Sequence, residues 1–582
     1  MKHSTTLDFR NTNSLWSSVL AETLFRLGLR QAVISPGSRS TALTMAFARH
    51  EGIESIPVLD ERSAAFFALG LGRHGSRPVA LVCTSGTAGA NYLPAIIEAQ
   101  VSGVPLLIIT ADRPPELREC RSGQTIDQQK IFGSFVNFYH ELAVPSADLP
   151  MLRYLRQTLM HAWERTQWPD AGPIHLNAPF RDPLPPVEDD STKHVKAALA
   201  ENDFFAAVVP PARTAIQVEL AGFPSAKKGI IVAGAGAEGS SPAEIAAIAS
   251  LAKGLGWPVL ADGLSGLRGT AGQFPVLITH YDALLRSEKA RNRLKPEVVL
   301  CVGGWPTSKP LRAALEKWAP TVWLVSQRVQ NLDALHLATR HVRCRIGAFA
   351  SSFVSNGRSP VGYAESWQRA DLLATRSFLK MLDETRNFEG LAVVNLARQL
   401  PHGTPVFVAN SMPVRDVEYF WPVTNRAHHI HFNRGANGID GTLSTAMGIA
   451  HGNKPSVLLT GDLALLHDSN GFLLGSKLKG SLTIVLINNN GGGIFEHLPV
   501  ARFDPPFEEF FATPQTIVFS KLAAAHGAKY VKVRDWRHFS ALVAKLPPHG
   551  IRLLEIETNR KRDAAFRSRI FQQAALAVEN SL

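Results

Sequence analysis

The stretch TGDLALLHDSNGFLLGSKLKGSLTIVLINNNGGGIF, residues 460–495, reads as strand end, helix, strand, glycine-rich loop. SVLLTGD (456–462) is apolar and delivers Gly461 and Asp462 to its carboxyl end; SLTIVLINNN (481–490) does the same for three asparagines. A helical crossover makes the two strands parallel neighbours. Asp462 and Asn489, 27 positions apart, then meet at one sheet edge. A carboxylate, an amide oxygen and a backbone carbonyl are hard ligands suited to Mg²⁺, which keeps water and takes phosphate oxygens into its octahedron. Gly461 and the glycines after Asn490 let backbone approach a diphosphate. Asp462 alone also suits a helix N-cap, and asparagine triplets suit plain turns. Together, at this spacing, they point to a metal–diphosphate site.

The same alternation extends in both directions. QAVIS (31–35), IESIPVL (53–59), PVALVC (78–83) and VPLLIIT (104–110) read as strands separated by helical runs. TPVFVAN (404–410), HHIHFN (428–433) and RLLEIET (552–558) continue the pattern near the other end. This rhythm predicts an α/β protein with mainly parallel sheets, whose function sits where strands run into loops. The proline- and acid-rich RDPLPPVEDDSTK (181–193) reads as a linker, and the polar SSFVSNGRSPVGYAES (351–366) as a second seam. Three blocks follow: 1–185, 200–355 and 375–582.

Composition narrows the partners. The chain has 582 residues, 45% hydrophobic and 19% charged, which excludes a disordered chain and supplies several full cores. No apolar run reaches membrane-span length, and the N-terminal MKHSTTLDFRNTNSLW lacks the apolar core of a secretory signal. Cys83, Cys120, Cys301 and Cys344 show no paired spacing, so neither disulfides nor a zinc site are expected and a cytoplasmic location is. The net charge of +12 lacks the dense basic block interleaved with aromatics that nucleic acid needs, which leaves small anions as the favoured ligands. Gly234–Gly239, GAGAEG, follows a strand and fits a dinucleotide fingerprint, with Asp262 late for the ribose-binding acid; a glycine-rich turn without cofactor is the favoured reading.

With the 460–495 signature in hand, further segments fall into place: SPGSRST (35–41), LDERSAAFFALGLG (59–72), TSGTAGAN (84–91), TADRPPEL (110–117) and RGANGIDGTLSTAMGIA (434–450). On these the chain resembles the thiamine-diphosphate-dependent decarboxylase superfamily, and within it the synthase branch of menaquinone and phylloquinone biosynthesis. The resemblance covers essentially the whole chain. It implies a pyrimidine-binding domain, a central Rossmann-like domain and a diphosphate-binding domain in the three blocks. The cofactors implied are thiamine diphosphate and Mg²⁺ or Mn²⁺, the ion held by Asp462, Asn489 and Gly491. Leu463 follows Gly-Asp where most thiamine enzymes carry glycine, as is usual in this branch.

The resemblance also implies a transferase activity: decarboxylation of 2-oxoglutarate, then 1,4-addition of the succinyl carbanion to isochorismate. Glu61 matches the glutamate that hydrogen-bonds the aminopyrimidine; the head of an apolar helix is its alternative role. Ser411, Gly461, Leu463, Ile439, Ile494 and Phe495 match cofactor-packing positions, although core packing also accounts for the three apolar side chains. Both substrates are dicarboxylates, and arginine grips a carboxylate with two parallel hydrogen bonds. Ser38, Arg39, Arg113, Lys309, Ser411, Arg415 and Arg434 are the matching substrate-binding positions, and Gln124 matches a glutamine near the reacting carbon. Pro310 departs from the branch pattern after Lys309, so Arg312 is the alternative cation there. A homodimer or homotetramer with sites at the subunit interface is implied, with no nucleic acid and no membrane span. The competing functions are an acetohydroxyacid synthase-like enzyme, a simple 2-oxoacid decarboxylase, and a dinucleotide-binding protein.

Overall fold

A computed structural model describes residues 7–201, 204–211, 220, 222–236, 241–353 and 357–581. Among the described residues the sheets are three, each of six parallel strands. The first contains β1 (Gln31–Ile34), β2 (Glu54–Pro57), β3 (Val79–Cys83), β4 (Leu106–Asp112), β5 (Tyr139–Glu141) and β6 (Pro173–Pro179), in the order β2-β1-β3-β4-β6-β5. The second contains β7 (Gly229–Ala233), β8 (Val259–Ala261), β9 (Leu277–Ile278), β10 (Val298–Val302), β11 (Thr321–Val325) and β12 (Ala338–Val342), in the order β12-β11-β10-β7-β8-β9. The third contains β13 (Pro405–Val408), β14 (His429–Phe432), β15 (Ser456–Gly461), β16 (Ser481–Asn488), β17 (Lys529–Lys532) and β18 (Gly550–Glu557), in the order β14-β13-β15-β16-β18-β17. The first and third orders are the same pattern, a kinship of topology that no residue match revealed.

The central strands are apolar without alternation because helices cover both faces of a parallel sheet. Every residue of β3, β4, β6, β7 and β10 is buried accordingly. Local signals set the helix starts. Asp60 caps the helix Glu61–Gly75 by accepting the Ser63 N–H, and Ser241 with Glu244 forms a capping box on the helix Pro242–Leu255.

The chain packs as two compact units. One comprises 1–213, 433–453 and 467–480; the other comprises 214–432, 454–466 and 481–582. The first unit holds the first sheet, and its helix Glu61–Gly75 crosses the helix Thr442–Ala450 at glycines. A Cβ on Gly70 would lie 2.2 Å from the Thr445 carbonyl oxygen, and one on Gly448 would lie 2.2 Å from that of Phe67. The second unit holds the other two sheets. The 351–366 seam is shorter there than its composition suggests, because a helix already begins at Tyr363 and runs to Asp383. Its Phe378 packs on Phe571 of the helix Arg560–Ser581, with ring centroids 5.6 Å apart.

Candidate active site

The second unit gathers its chemistry at the carboxyl ends of β15, β16 and β18. Register places Gly461 beside Ile487 and Asn488 beside Glu557, so the loops that follow share one rim. Beneath the rim lies a cavity of about 270 Å³ lined by Asp462, Leu466, Asn488, Asn490, Gln515, Ile517, Phe519, Glu557 and Thr558. Asp462 opens the helix Asp462–His467, and its carboxylate accepts the Leu463 N–H through Oδ1 and the Gly491 N–H through Oδ2, each at 2.8 Å. Burial pushes its carboxyl up to about 6 against those hydrogen bonds, an imbalance that a bound cation would correct.

Asn489 is buried, and its Nδ2 donates to Glu389 Oε2 at 3.0 Å. Its Oδ1 has no hydrogen-bond partner. A buried acceptor left bare is costly in a protein interior, and a hard cation satisfies it. Gly491 takes φ +124°, and a Cβ there would lie 2.3 Å from the Ala512 carbonyl oxygen, so only glycine turns the loop at this point. Beside Gly461 the space is open, which is room for a phosphate. The residues present fit a divalent ion with a diphosphate. Among the described residues no group of three or more His, Cys, Asp or Glu side chains could hold a metal.

The C-terminal helix braces this loop. Arg560 Nη1 donates to the Asn490 carbonyl at 2.6 Å, and the same guanidinium pairs with Glu496 and Glu508. About two helical turns on, Arg567 Nη2 donates to Glu389 Oε1 at 2.7 Å and to Asp416 Oδ1 at 2.6 Å. Burial works against the Arg567 charge, but Asp416 and Glu389 outweigh it and hold the guanidinium firmly protonated. None of Glu389, Arg560 or Arg567 stood out in the sequence, since each lies far from the motif and reads as an ordinary charged helix residue. Ile494 and Phe495 are half-buried just past the glycines.

Ser411 precedes the helix Met412–Phe420 with φ +70°, and its carbonyl accepts from Arg415 Nη1 at 2.6 Å. Burial lowers the Arg415 pKa, as does the nearby Arg312 charge. Lys309, by contrast, is exposed at the first turn of the helix Lys309–Trp318. Arg312, half-buried on that helix, is thus the cation in electrostatic reach of Arg415.

In the first unit, Glu61 stands half-buried at the head of its helix. Arg39, Arg113 and Gln124 come together: Arg113 Nη1 donates to the Gln124 carbonyl at 2.8 Å and to Ser85 Oγ, and Gln124 Nε2 donates to the Ser85 carbonyl at 2.9 Å. Burial and the neighbouring Arg39 charge both lower the Arg113 pKa. Arg39 Nη1 donates to the Phe180 carbonyl at 2.9 Å, while its buried Nε has no partner; Ser38 beside it is exposed. Clustered like charges are the signature of a site awaiting an anion. The segment carrying Arg434 and Ile439 also belongs to this unit. Glu98 pins it, accepting the Gly435 and Ala436 N–H groups at 3.0 and 2.7 Å.

The Gly234 turn does other work. A Cβ on Gly234 would lie 1.5 Å from the Gly304 carbonyl oxygen, so backbone packing requires the glycine; residues 237–239 of GAGAEG lie outside the described residues. Asp262 is fully buried and caps turns, accepting the Leu264 N–H at 2.8 Å and the Thr307 N–H at 2.7 Å. It is no ribose ligand. Among the described residues no helix is long and apolar enough to cross a membrane.

Comparison with known proteins agrees with this geometry. Residues 16–131 match the N-terminal TPP binding domain of thiamine pyrophosphate enzymes, 194–408 their middle domain and 414–556 their C-terminal TPP binding domain. A 2-succinyl-5-enolpyruvyl-6-hydroxy-3-cyclohexene-1-carboxylate synthase of Gloeothece citriformis (strain PCC 7424) is 49% identical over 581 residues, covering 96% of this chain and 98% of the relative. Those of Trichormus variabilis (strain ATCC 29413 / PCC 7937) and Nostoc sp. (strain PCC 7120 / SAG 25.82 / UTEX 2576) are each 51% identical, covering 96% of this chain and 97% of the relative.

Proposed function

The chain belongs to the thiamine pyrophosphate enzymes, among the 2-succinyl-5-enolpyruvyl-6-hydroxy-3-cyclohexene-1-carboxylate synthases, and on that premise we propose that it joins 2-oxoglutarate to isochorismate with loss of CO₂. This is a transferase step of menaquinone or phylloquinone biosynthesis. The observation that carries the reading at the level of the site is the buried, unpartnered Asn489 Oδ1, two residues from the Gly491 N–H that Asp462 accepts.

Asp462, Asn489 and the Gly491 carbonyl would hold Mg²⁺ or Mn²⁺, and Ser411, Gly461, Leu463, Ile439, Ile494 and Phe495 would surround the cofactor. Thiamine diphosphate bound there supplies the electron sink for releasing CO₂ from a 2-oxo acid and for forming the new carbon–carbon bond. Glu61 holds a proton at the aminopyrimidine and so selects its reactive tautomer. The remaining side chains bind and orient the substrates. Arg39, Arg113 and Arg434, with Ser38, grip carboxylates; Arg415 and Arg312 form a second cationic pair, in preference to exposed Lys309. Gln124, held by Ser85, hydrogen-bonds the reacting carbon's oxygen.

The working enzyme is then a cytoplasmic homodimer or homotetramer in which Glu61 and the Asp462 site of different copies meet, with the chain divided into domains 1–185, 200–355 and 375–582. Exposed apolar side chains support a covering copy: Leu59 is 69% exposed beside Glu61, and Phe503 and Phe510 are each 67% exposed near the glycine loop. A coupled assay with 2-oxoglutarate and isochorismate, with and without thiamine diphosphate and divalent ion, tests the proposal. Turnover requires all four components. Equal turnover with pyruvate as acceptor would instead indicate an acetohydroxyacid synthase-like enzyme.

A further inference from the structure

We propose that Glu389 is a positioning residue that decides which end of the Asn489 side chain faces the cation; the inference rests on Asn489 being a ligand. A carboxamide has nearly the same shape at both ends and opposite polarity. Only its oxygen ligates a hard cation, while its NH₂ can only donate. A ligand asparagine therefore needs something behind it that accepts and never donates. An ionised carboxylate meets that requirement.

Glu389 occupies that position. It is 3% exposed, precedes the helix Gly390–Gln399, and its Oε2 accepts from Asn489 Nδ2 at 3.0 Å. Turning the amide over would set Asn489 Oδ1 against Oε2, acceptor against acceptor, and aim NH₂ at the cation. In the orientation observed, Oδ1 is the end left buried and unpartnered. The carboxylate is itself locked. Its Oε1 takes the Arg567 Nη2 donor at 2.7 Å, and its backbone N–H donates to Asp563 Oδ2 at 3.2 Å. Arg567 is held in turn by Asp416 and lies 3.1 Å from His497 Nε2. Gly493 completes the fit, since a Cβ there would stand 2.8 Å from Asn489 Nδ2 and push the amide off its partner.

A purely structural role, as one of two counterions to Arg567, would leave metal affinity untouched. The test is Mn²⁺ binding to the full-length protein with thiamine diphosphate and no substrate, read by calorimetry or by loss of the free-ion paramagnetic signal. Glu389→Gln presents an amide that can donate as well as accept, so Asn489 loses its fixed orientation. Mn²⁺ affinity is expected to fall about 10–100-fold, the usual effect of removing a group that orients a metal ligand. Rescue is expected from Asn489→Asp, whose two oxygens are equivalent: the E389Q/N489D chain recovers most of the lost affinity. Asn489→Asp with Glu389 intact sets two carboxylates face to face and gains less than the double variant does. Should Glu389→Gln not fold, Glu389→Asp keeps a charge for Arg567 and withdraws the acceptor from Nδ2, and a loss of tenfold or more is expected. Affinity equal to wild type in the Glu389 variants, alongside loss in Asn489→Ala, overturns the proposal and leaves the ligand assignment standing. So does an E389Q loss that N489D fails to repair. Wild-type affinity in Asn489→Ala would remove the ligand assignment and the proposal with it.

Discussion

Single side chains here act through what they leave unsatisfied. Arg39, Arg113 and Arg415 are cations held among other cations, each anchored by backbone carbonyls or a hydroxyl rather than fully neutralised by carboxylates. Such groups bind anions at little cost, because the repulsion was built in during folding. On the proposed substrate-binding role, Arg415→Ala is expected to cost about 2–5 kcal/mol in kcat/KM for one substrate, measured by varying each substrate separately. A loss under twofold would make Arg415 peripheral. Glu61→Gln is expected to lower kcat by about 10²–10⁴-fold while thiamine diphosphate still binds, since the role proposed for Glu61 is to hold a proton rather than to anchor the cofactor. The sequence disclosed Asp462 and Asn489 because strand ends announce themselves and the crossover fixes their spacing. It concealed Glu389, exactly 100 positions from Asn489 in the chain, because nothing local marks a glutamate as the partner of a remote amide.

Helices and strands differ in how openly they show themselves. The central strands were legible because burial on both faces demands unbroken apolar runs, and every residue of β16 but Asn488 is indeed buried. The helix Arg560–Ser581 was not, because RKRDAAFRSR interleaves charge with small residues, and Arg567 among them points at buried carboxylates instead of solvent. The crossing of Glu61–Gly75 over Thr442–Ala450 was equally hidden, though glycines at 70 and 448 recorded it. Each lets one helix backbone touch the other. Gly448→Ala is expected to destabilise the protein by about 1–3 kcal/mol through overpacking, read as a lower denaturant midpoint with unchanged slope. An unchanged midpoint would mean that the crossing relaxes freely.

At the scale of the whole molecule, folding takes ionisable groups out of water and makes stability depend on pH. His175 on β6 is fully buried, its Nε2 2.8 Å from Thr110 Oγ1, and burial lowers its pKa from 6.5 to about 3. The folded state thus refuses a proton that the unfolded chain accepts. Between about 3 and 6.5 the unfolded state binds more protons, so this residue's contribution to stability rises with pH and is lost on acidification. Melting curves across that window should show a flatter acid slope for His175→Gln than for wild type; parallel slopes would disprove the assignment. The three-sheet α/β architecture followed from the alternation of elements, whereas the shared strand order of the first and third sheets needed coordinates, because topology leaves no trace in residue identity. The brace on the glycine loop carries one more consequence. Arg560 and Arg567 leave the ribosome after every other group in that rim, so the brace forms only once synthesis has passed residue 567. A nascent chain stalled before residue 560 would display the entire Gly-Asp…Asn motif and still lack the clasp that shapes it.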